Sequence, residues 1–106
     1  MTRRVYVADH QKGAEETELL LQVGGLAVTG HTCAKGGWSV THLPTGFAVA
    51  KGPFREDVAR TLCHALAGLH DWASLGFDGA WRLRLASEKS APVRAAIKKA
   101  FQEDAS

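Results

Sequence analysis

The chain has 106 residues, a formal net charge of +2, 45% hydrophobic residues and 23% charged residues. This length suits one domain and is too short for two, and the composition is that of a folded globular protein. Two cysteines do not make a disulfide framework, and no signal-peptide-like apolar segment follows the N-terminal arginines. The most apolar stretch, residues 19–28, is too short and too interrupted by glycine to cross a membrane. We therefore expect a cytoplasmic protein with reduced thiols and no membrane partner.

Apolar runs separated by turns predict strands in the first half of the chain. The runs are residues 5–8 (a first strand or an ordered arm), 17–23 (a strand or a short helix), 26–35, 38–43 and 47–51. We prefer a strand for residues 17–23 because Gly24-Gly25 follows. The pairs Gly24-Gly25 and Gly36-Gly37 suit two-residue hairpin turns, in which both positions need positive φ. Pro44-Thr45-Gly46 suits a turn in which proline presets φ and glycine adopts the left-handed region. Residues 9–14 are polar and are predicted to form a loop.

Apolar residues at helical spacing predict a helix after these strands. They are Phe54, Val58, Leu62, Ala65, Leu66 and Leu69. Gly52-Pro53 is expected to open the helix, because proline is tolerated in a first turn. Glu56 and Asp57 would then complement the helix dipole, and the helix is expected to end near residues 70–71.

A further strand and a last helix are predicted in the final quarter of the chain. Residues 80–86 alternate between apolar and basic side chains, as a strand with one basic face does. Ser90 can cap the last helix, with Pro92 in its first turn. The apolar stripe of that helix comprises Val93, Ile97, Ala100 and Phe101. The order of elements predicts a single α+β domain: an antiparallel meander sheet of four to five strands with two helices packed on one face.

The turn at Gly24-Gly25 predicts which residues of the sheet face the core. If it is a two-residue loop, Val23 pairs with Leu26, and Glu18 falls opposite His31. Because side chains alternate between the two faces of a sheet, one face collects most of the apolar residues. This core face comprises Leu19, Leu21, Val23, Leu26, Val28 and Leu43. Phe47 and Val49 join it if Gly46 closes a three-residue bulged loop.

The other face is predicted to be open and only half polar. If Gly36-Gly37 is a two-residue loop, Lys35 pairs with Trp38, and His31 lies opposite His42. The face then carries Glu18, Leu20, Gln22, Thr29, His31, Cys33, Trp38, Val40 and His42. Exposed apolar patches mark contact surfaces, and tryptophan is favoured at binding hot spots, although Trp38 could instead be packed in the core. The residues predicted to contact a protein partner are Trp38, Val40, His31, His42 and Leu20.

Two groups of side chains contain residue types that could form chemical sites. Glu18, His31 and His42 align across three strands in this register, and carboxylate and imidazole are both zinc ligands. None of the usual paired ligand spacings is present, so a polar cross-strand cluster is the simpler interpretation, and we expect no metal and no cofactor. Cys63 and His64 are neighbours that point about 100° apart on a helix, so they do not form a nucleophile–base pair. We expect no catalytic residue, and therefore no enzyme.

Basic residues are concentrated toward the end of the chain and suggest an alternative function. Residues 79–102 contain six basic residues and one acid. The candidate nucleic-acid contacts are Arg82, Arg84, Arg94, Lys98 and Lys99. Together these could bind backbone phosphates, which would make the chain a nucleic-acid-binding accessory domain. The ordinary interpretation is a solvated positive surface.

The ten residues from Trp38 to Phe47, followed by a helix, resemble the hairpin-then-helix of small proteins of phages and mobile elements. Anti-CRISPR proteins belong to this group, and the resemblance covers about residues 36–72. It implies a non-enzymatic inhibitor that binds a host protein or nucleoprotein complex stoichiometrically. It carries no functional residue over, because anti-CRISPR proteins share no signature.

The meander also predicts a way to form a homodimer, because an edge strand of the sheet could pair with its copy.

Overall fold

The computed structural model describes residues 3–9, 13–30, 37–44, 46, 48–69, 72 and 91–104. Within these ranges, an antiparallel sheet is formed in chain order by β1 (Arg3–Asp9), β2 (Gly13–Val23), β3 (Leu26–Gly30), β4 (Trp38–His42) and β5 (Ala48–Phe54). The helices are α1 (Glu56–Ala67) and α2 (Ala91–Asp104). The predicted α+β class, with an antiparallel meander sheet and two helices, is confirmed.

The first two strands form a long hairpin. β1 pairs with β2 over its whole length, from Arg3 opposite Leu19 to Asp9 opposite Gly13. Residues 5–8 therefore belong to a strand and not to a separate arm. The loop predicted over residues 9–14 is wrong at both of its ends, because the backbone ladder continues past the apolar run into polar residues.

A β-bulge separates two halves of β2. The predicted two-residue turn is confirmed, because Val23 pairs with Leu26. The register then shifts between Leu19 and Leu21, so that Leu19 pairs with Thr29. An extra residue in one strand inverts the alternation beyond it. Leu19 was predicted on the core face with Leu21; it is buried, but it lies on the opposite face with Thr29.

The predicted register of β3 and β4 is wrong. Trp38 pairs with Gly30 and not with Lys35, which is a shift of five residues. An odd shift moves every side chain of a strand to the other face. Val40 and His42 therefore lie on the same face as the apolar residues of β3, and both are fully buried.

The second face of the central strands is also buried. Thr29, Thr41 and Ser39 lie there and are at most 5% exposed. The hydroxyls of Thr29 and Thr41 are hydrogen-bonded at 2.8 Å, and the Ser39 hydroxyl accepts the Gly52 N–H at 3.0 Å. These bonds satisfy polar groups that burial would otherwise destabilise. The open second face predicted from the sequence is therefore wrong at β3 and β4.

The first helix begins later than predicted. β5 runs through Pro53 to Phe54, which pairs with Trp38, and the Gly52–Pro53 peptide bond is cis. This pairing keeps the backbone extended up to Arg55 (φ −63°, ψ 155°), so α1 opens at Glu56 and not at Gly52-Pro53. The two acidic residues predicted for its first turn are there.

The helices cover one face of the sheet and enclose the core. The buried core residues are Leu26, Val28, Val40, Val49, Ala50, Phe54, Val58, Ala59, Leu62, Cys63, Leu66, Trp72, Val93 and Ala100. In α2, Val93 and Ala100 are buried as predicted, whereas Phe101 is half exposed and packs against Phe54 with ring centroids 4.8 Å apart. Ala65 and Leu69 were assigned to the buried stripe of α1 but are exposed.

Some of the sequence predictions concern residues that the structure does not describe. The strand predicted over residues 80–86, the cap residue Ser90, and the predicted site residues His31, Arg82 and Arg84 lie outside the described residues. Among the described residues, no helix combines the length and the hydrophobicity needed to cross a membrane.

Candidate functional site

A groove lies at the end of the sheet where the β1–β2 hairpin approaches the start of β4. Its volume is about 380 Å³. It is lined by Arg4, Glu16, Thr17, Glu18, Gly30, Gly37 and Trp38. Three of these side chains carry charge, one is a large aromatic, and two positions have no side chain. The groove is therefore mainly polar, with a single large apolar wall.

Strand pairing explains why the charged residues share one side of the hairpin. Arg4 lies opposite Glu18, and Tyr6 lies opposite Glu16. Residues paired across two antiparallel strands, and those two positions along, project from the same face. Arg4 Nε donates to Glu16 Oε1 at 2.6 Å, which is a diagonal pair across the ladder. Because both side chains are about half exposed, solvent weakens this ion pair.

The bulge in β2 directs the acidic residues toward the groove. Glu16, Glu18 and Leu20 alternate along the strand, and Leu20 packs against the core cluster. Without the extra residue, this set would lie on the face opposite to Leu21 and its core neighbours. The bulge therefore places Glu16 and Glu18 on the same face of the sheet as the core, where they form a charged surface beside Trp38.

Close backbone packing positions the aromatic wall of the groove. Trp38 is half-buried: it packs against the core cluster and also lines the groove. The residue before it, Gly37, has φ +91°, and a Cβ there would collide with Pro53. Gly30, which pairs with Trp38, also excludes a side chain, because a Cβ would lie 2.5 Å from Thr17 Oγ1. The same hydroxyl donates to the Gly30 carbonyl at 3.1 Å.

The charges of the groove leave an excess of negative charge. Glu16 and Glu18 contribute two negative charges against the one positive charge of Arg4. Arg4 is engaged by Glu16, and within the part of the chain that the structure describes Glu18 makes no ion pair. Glu18 is partly buried, so its carboxylate lies in a less polar environment than a fully exposed one.

No family model, curated protein or solved structure matches this chain.

The structure separates the contact residues predicted from the sequence. Trp38 and Leu20 are half-buried and lie on the groove side of the sheet. Val40 and His42 are 0% exposed, so the expectation that they form an open surface is wrong; the odd register shift turns both into the core. The sequence reasoning missed Arg4, Glu16 and Tyr6. The alternation of residues 4–6 with residues 16–18 on paired strands was the signal that could have found them.

His42 has a structural role in the core. Its Nε2 lies 2.7 Å from the Trp72 carbonyl, and because a carbonyl only accepts, Nε2 carries the hydrogen. The Trp72 indole N–H in turn donates to the Leu66 carbonyl at 2.7 Å, and the Leu69 N–H donates to the same oxygen at 3.0 Å. These bonds attach β4 to the C-terminal end of α1.

Glu18 and His42, two residues of the predicted carboxylate–histidine cluster, do not align across the sheet. In the row of His42, β3 contributes Leu26 and β2 contributes Val23, which is five residues from Glu18. Among the described residues, no group of three His, Cys, Asp or Glu side chains could hold a metal ion.

Cys63 and His64 point to different environments, as helix geometry predicts. Cys63 is 0% exposed in the core, and burial raises the pKa of its thiol to about 11. His64 is exposed on the outer side of α1. A buried thiol held in its neutral form is a poor nucleophile.

The basic residues of α2 are exposed. Arg94, Lys98 and Lys99 all face solvent, which is compatible with the alternative of nucleic-acid binding. Lys99 Nζ lies 3.9 Å from Glu103 Oε1, so part of this positive charge is offset along the same helix.

Proposed function

We propose that this protein is a binding module that contacts a protein partner through the groove between the β1–β2 hairpin and Trp38. The observation that carries the proposal is a pair of aromatic side chains at this site. Trp38 is half-buried in the groove wall, and Tyr6 is 69% exposed on the strand that borders the groove. Tyrosine and tryptophan provide large, rigid contact areas at low entropic cost and are enriched in protein interfaces.

The charged neighbours of these aromatics support the same proposal. Tyr6 lies opposite Glu16, and Arg4 is two residues away on the same strand. Tyrosine, tryptophan and arginine are the residue types that most often dominate binding energy in interfaces. A half-exposed ion pair beside them can set the orientation of a partner and exclude partners of the wrong charge.

The lining of the groove favours a macromolecular partner over a small apolar ligand. Small-molecule pockets are lined mostly by apolar and aromatic side chains with a few polar groups. Here one aromatic stands among three charged residues and two glycines. Such a surface resembles the mixed composition of a protein–protein interface.

The partner class that we propose is a host protein or a nucleoprotein complex, bound stoichiometrically. The resemblance of residues 36–72 to small anti-CRISPR proteins supports this choice. A second copy of the chain is the other occupant that the experiment below can reveal.

Photo-cross-linking in the source cell tests the proposal. A benzoylphenylalanine placed at position 6 should capture the partner, whereas the same group at position 69 should not. Leu69 is the matched control because it is also an exposed large apolar residue, at 44%, but lies two residues beyond the end of α1. Equal capture from both positions, or capture only from position 69, contradicts the proposal.

Binding of the captured partner to purified variants gives the quantitative test. Tyr6→Ala should weaken binding about tenfold or more, the effect of removing a hot-spot aromatic, while the melting temperature is kept. Leu69→Ala should leave the affinity unchanged. If both variants bind like the unmodified protein, the groove is not the contact site.

A further inference from the structure

We infer that the groove receives an arginine side chain of the partner, with its guanidinium between the Glu18 carboxylate and the Trp38 indole. The inference rests on the proposed function and names the group that the site would recognise. It is carried by three features of one groove: an excess of negative charge, the Glu18 carboxylate, which has no ion pair among the described residues, and the aromatic residue Trp38.

The ion pairs among the described residues leave one carboxylate of the groove available. Arg4 is held by Glu16 at 2.6 Å, although Glu18 lies directly opposite Arg4 in the ladder. Glu18 makes no ion pair among the described residues and lines the groove. A cationic group that enters the groove would therefore meet the Glu18 carboxylate and, among the described lining residues, a net charge of −1, which is two carboxylates against one guanidinium.

The geometry of guanidinium explains why arginine is chosen over lysine. A carboxylate accepts two parallel N–H bonds from a guanidinium, which an ammonium group cannot supply in the same plane. The flat guanidinium also stacks on an aromatic ring, and tryptophan is the best partner for such cation–π contacts. Trp38 and Glu18 line the same groove.

A peptide titration monitored by NMR tests the inference on the full chain. The probe is acetyl-Gly-Gly-Arg-Gly-Gly-amide, titrated to about 10 mM, since one side chain gives only millimolar affinity. We expect saturable shifts of the Trp38 indole N–H and of the Gly30 and Gly37 amides. The citrulline peptide, which has the same shape without the charge, should cause none. Equal shifts with citrulline, equal binding of the lysine peptide, or no shifts with arginine would each overturn the inference.

Two substitutions with opposite expected signs separate recognition from folding. Glu18→Gln should weaken the arginine peptide about fivefold or more, because a charge-assisted hydrogen bond is lost. Glu103→Gln is the control, since its exposed carboxylate lies on α2. Arg4→Gln should strengthen binding, because it removes the competing cation and frees Glu16. A damaged fold cannot produce that gain, so unchanged or weaker binding by Arg4→Gln contradicts the inference.

The failures of the two proposals are distinguishable. If the partner cross-links through position 6 but binds the Glu18→Gln variant as tightly as the unmodified protein, the groove binds protein without recognising an arginine side chain. If the arginine peptide binds and no partner is captured, the cation preference stands and the protein-binding function fails.

Discussion

His42 shows how a single polar residue is misplaced when only its own strand is considered. In the sequence it alternates with Val40 and Trp38, and this alternation predicts that all three lie on one half-polar, open face of the sheet. In the structure it is fully buried, and its Nε2–H donates to the Trp72 carbonyl at 2.7 Å. A buried polar group is stable only with such a partner, and that partner is 30 residues away.

Removal of this donor should destabilise the protein. His42→Leu removes the buried N–H that donates to the Trp72 carbonyl, and we expect a loss of about 1–3 kcal/mol in the free energy of unfolding. His42→Gln keeps an N–H donor and should lose less. The control His64→Ala, on the exposed side of α1, should change stability by less than about 0.5 kcal/mol. Urea denaturation measures all three; equal stability of His42→Leu and His64→Ala would contradict the role assigned to His42.

Cys63 couples stability to alkaline pH. Burial raises the pKa of its thiol from 9.0 to about 11, so the folded state retains the thiol proton at a pH where the unfolded chain releases it. This contribution to stability is fully present below about pH 9 and is lost as the pH rises through 11. We expect the urea concentration at the unfolding midpoint to decrease as the pH is raised from about 8 to about 10.5. The decrease should be smaller in Cys63→Ala. The difference between the two proteins isolates Cys63 from other groups that titrate in this range.

At the scale of elements, the start of α1 depends on the end of α2. Arg55, the N-cap residue, makes no side-chain cap of its own. Its N–H instead donates to Asp104 Oδ1 at 2.7 Å, and its guanidinium donates to the Glu103 carbonyl at 3.1 Å. A carboxylate at a helix N-terminus also interacts favourably with the dipole. The cap of one helix is thus supplied by the last residue of the other.

Loss of this cap should be measurable. Asp104→Ala should lower stability by about 0.5–2 kcal/mol, the usual effect of removing a capping carboxylate. It should also speed hydrogen exchange at the Arg55 amide, which is the bond that is lost. The control Glu103→Ala removes only a long surface pair with Lys99 and should cost less than about 0.5 kcal/mol. If the two variants lose equal stability, the cap does not hold α1 in place.

At the scale of the whole molecule, the two candidate surfaces lie on different layers. The groove belongs to the sheet, at the β1–β2 hairpin, whereas the exposed basic residues Arg94 and Lys98 belong to α2. Each can therefore be altered without changing the other. This independence allows protein binding and nucleic-acid binding to be tested separately.

A gel shift at several salt concentrations tests the nucleic-acid alternative. If α2 contacts phosphates, binding to duplex DNA should weaken steeply with salt. The double variant Arg94→Gln/Lys98→Gln should then reduce the magnitude of the salt slope by about 2, since two phosphate contacts are lost. The double variant Arg4→Gln/Arg60→Gln removes equal charge elsewhere and should bind like the unmodified chain. No shift of the unmodified chain at low salt would dismiss this function.

Local signals were sufficient for the class of the fold and for much of its chain order. Gly24-Gly25 correctly predicted the pairing of Val23 with Leu26, and apolar spacing predicted both helices. These features depend on residues that are close together in the chain, where turn geometry and side-chain periodicity act directly. The sequence pattern predicts that Leu20 and Trp38 lie on a contact surface, but it does not predict that both are half-buried against the core.

Long-range pairing decided the rest. The five-residue shift between β3 and β4, the bulge in β2, and the extension of β5 to Phe54 all depend on how distant backbone segments meet. An error of one residue in register exchanges the two faces of a strand, so alternation within one strand cannot say which face is buried. That is why His42 lies in the core, why Arg4 and Glu16 meet, and why the groove could not be read from the sequence alone.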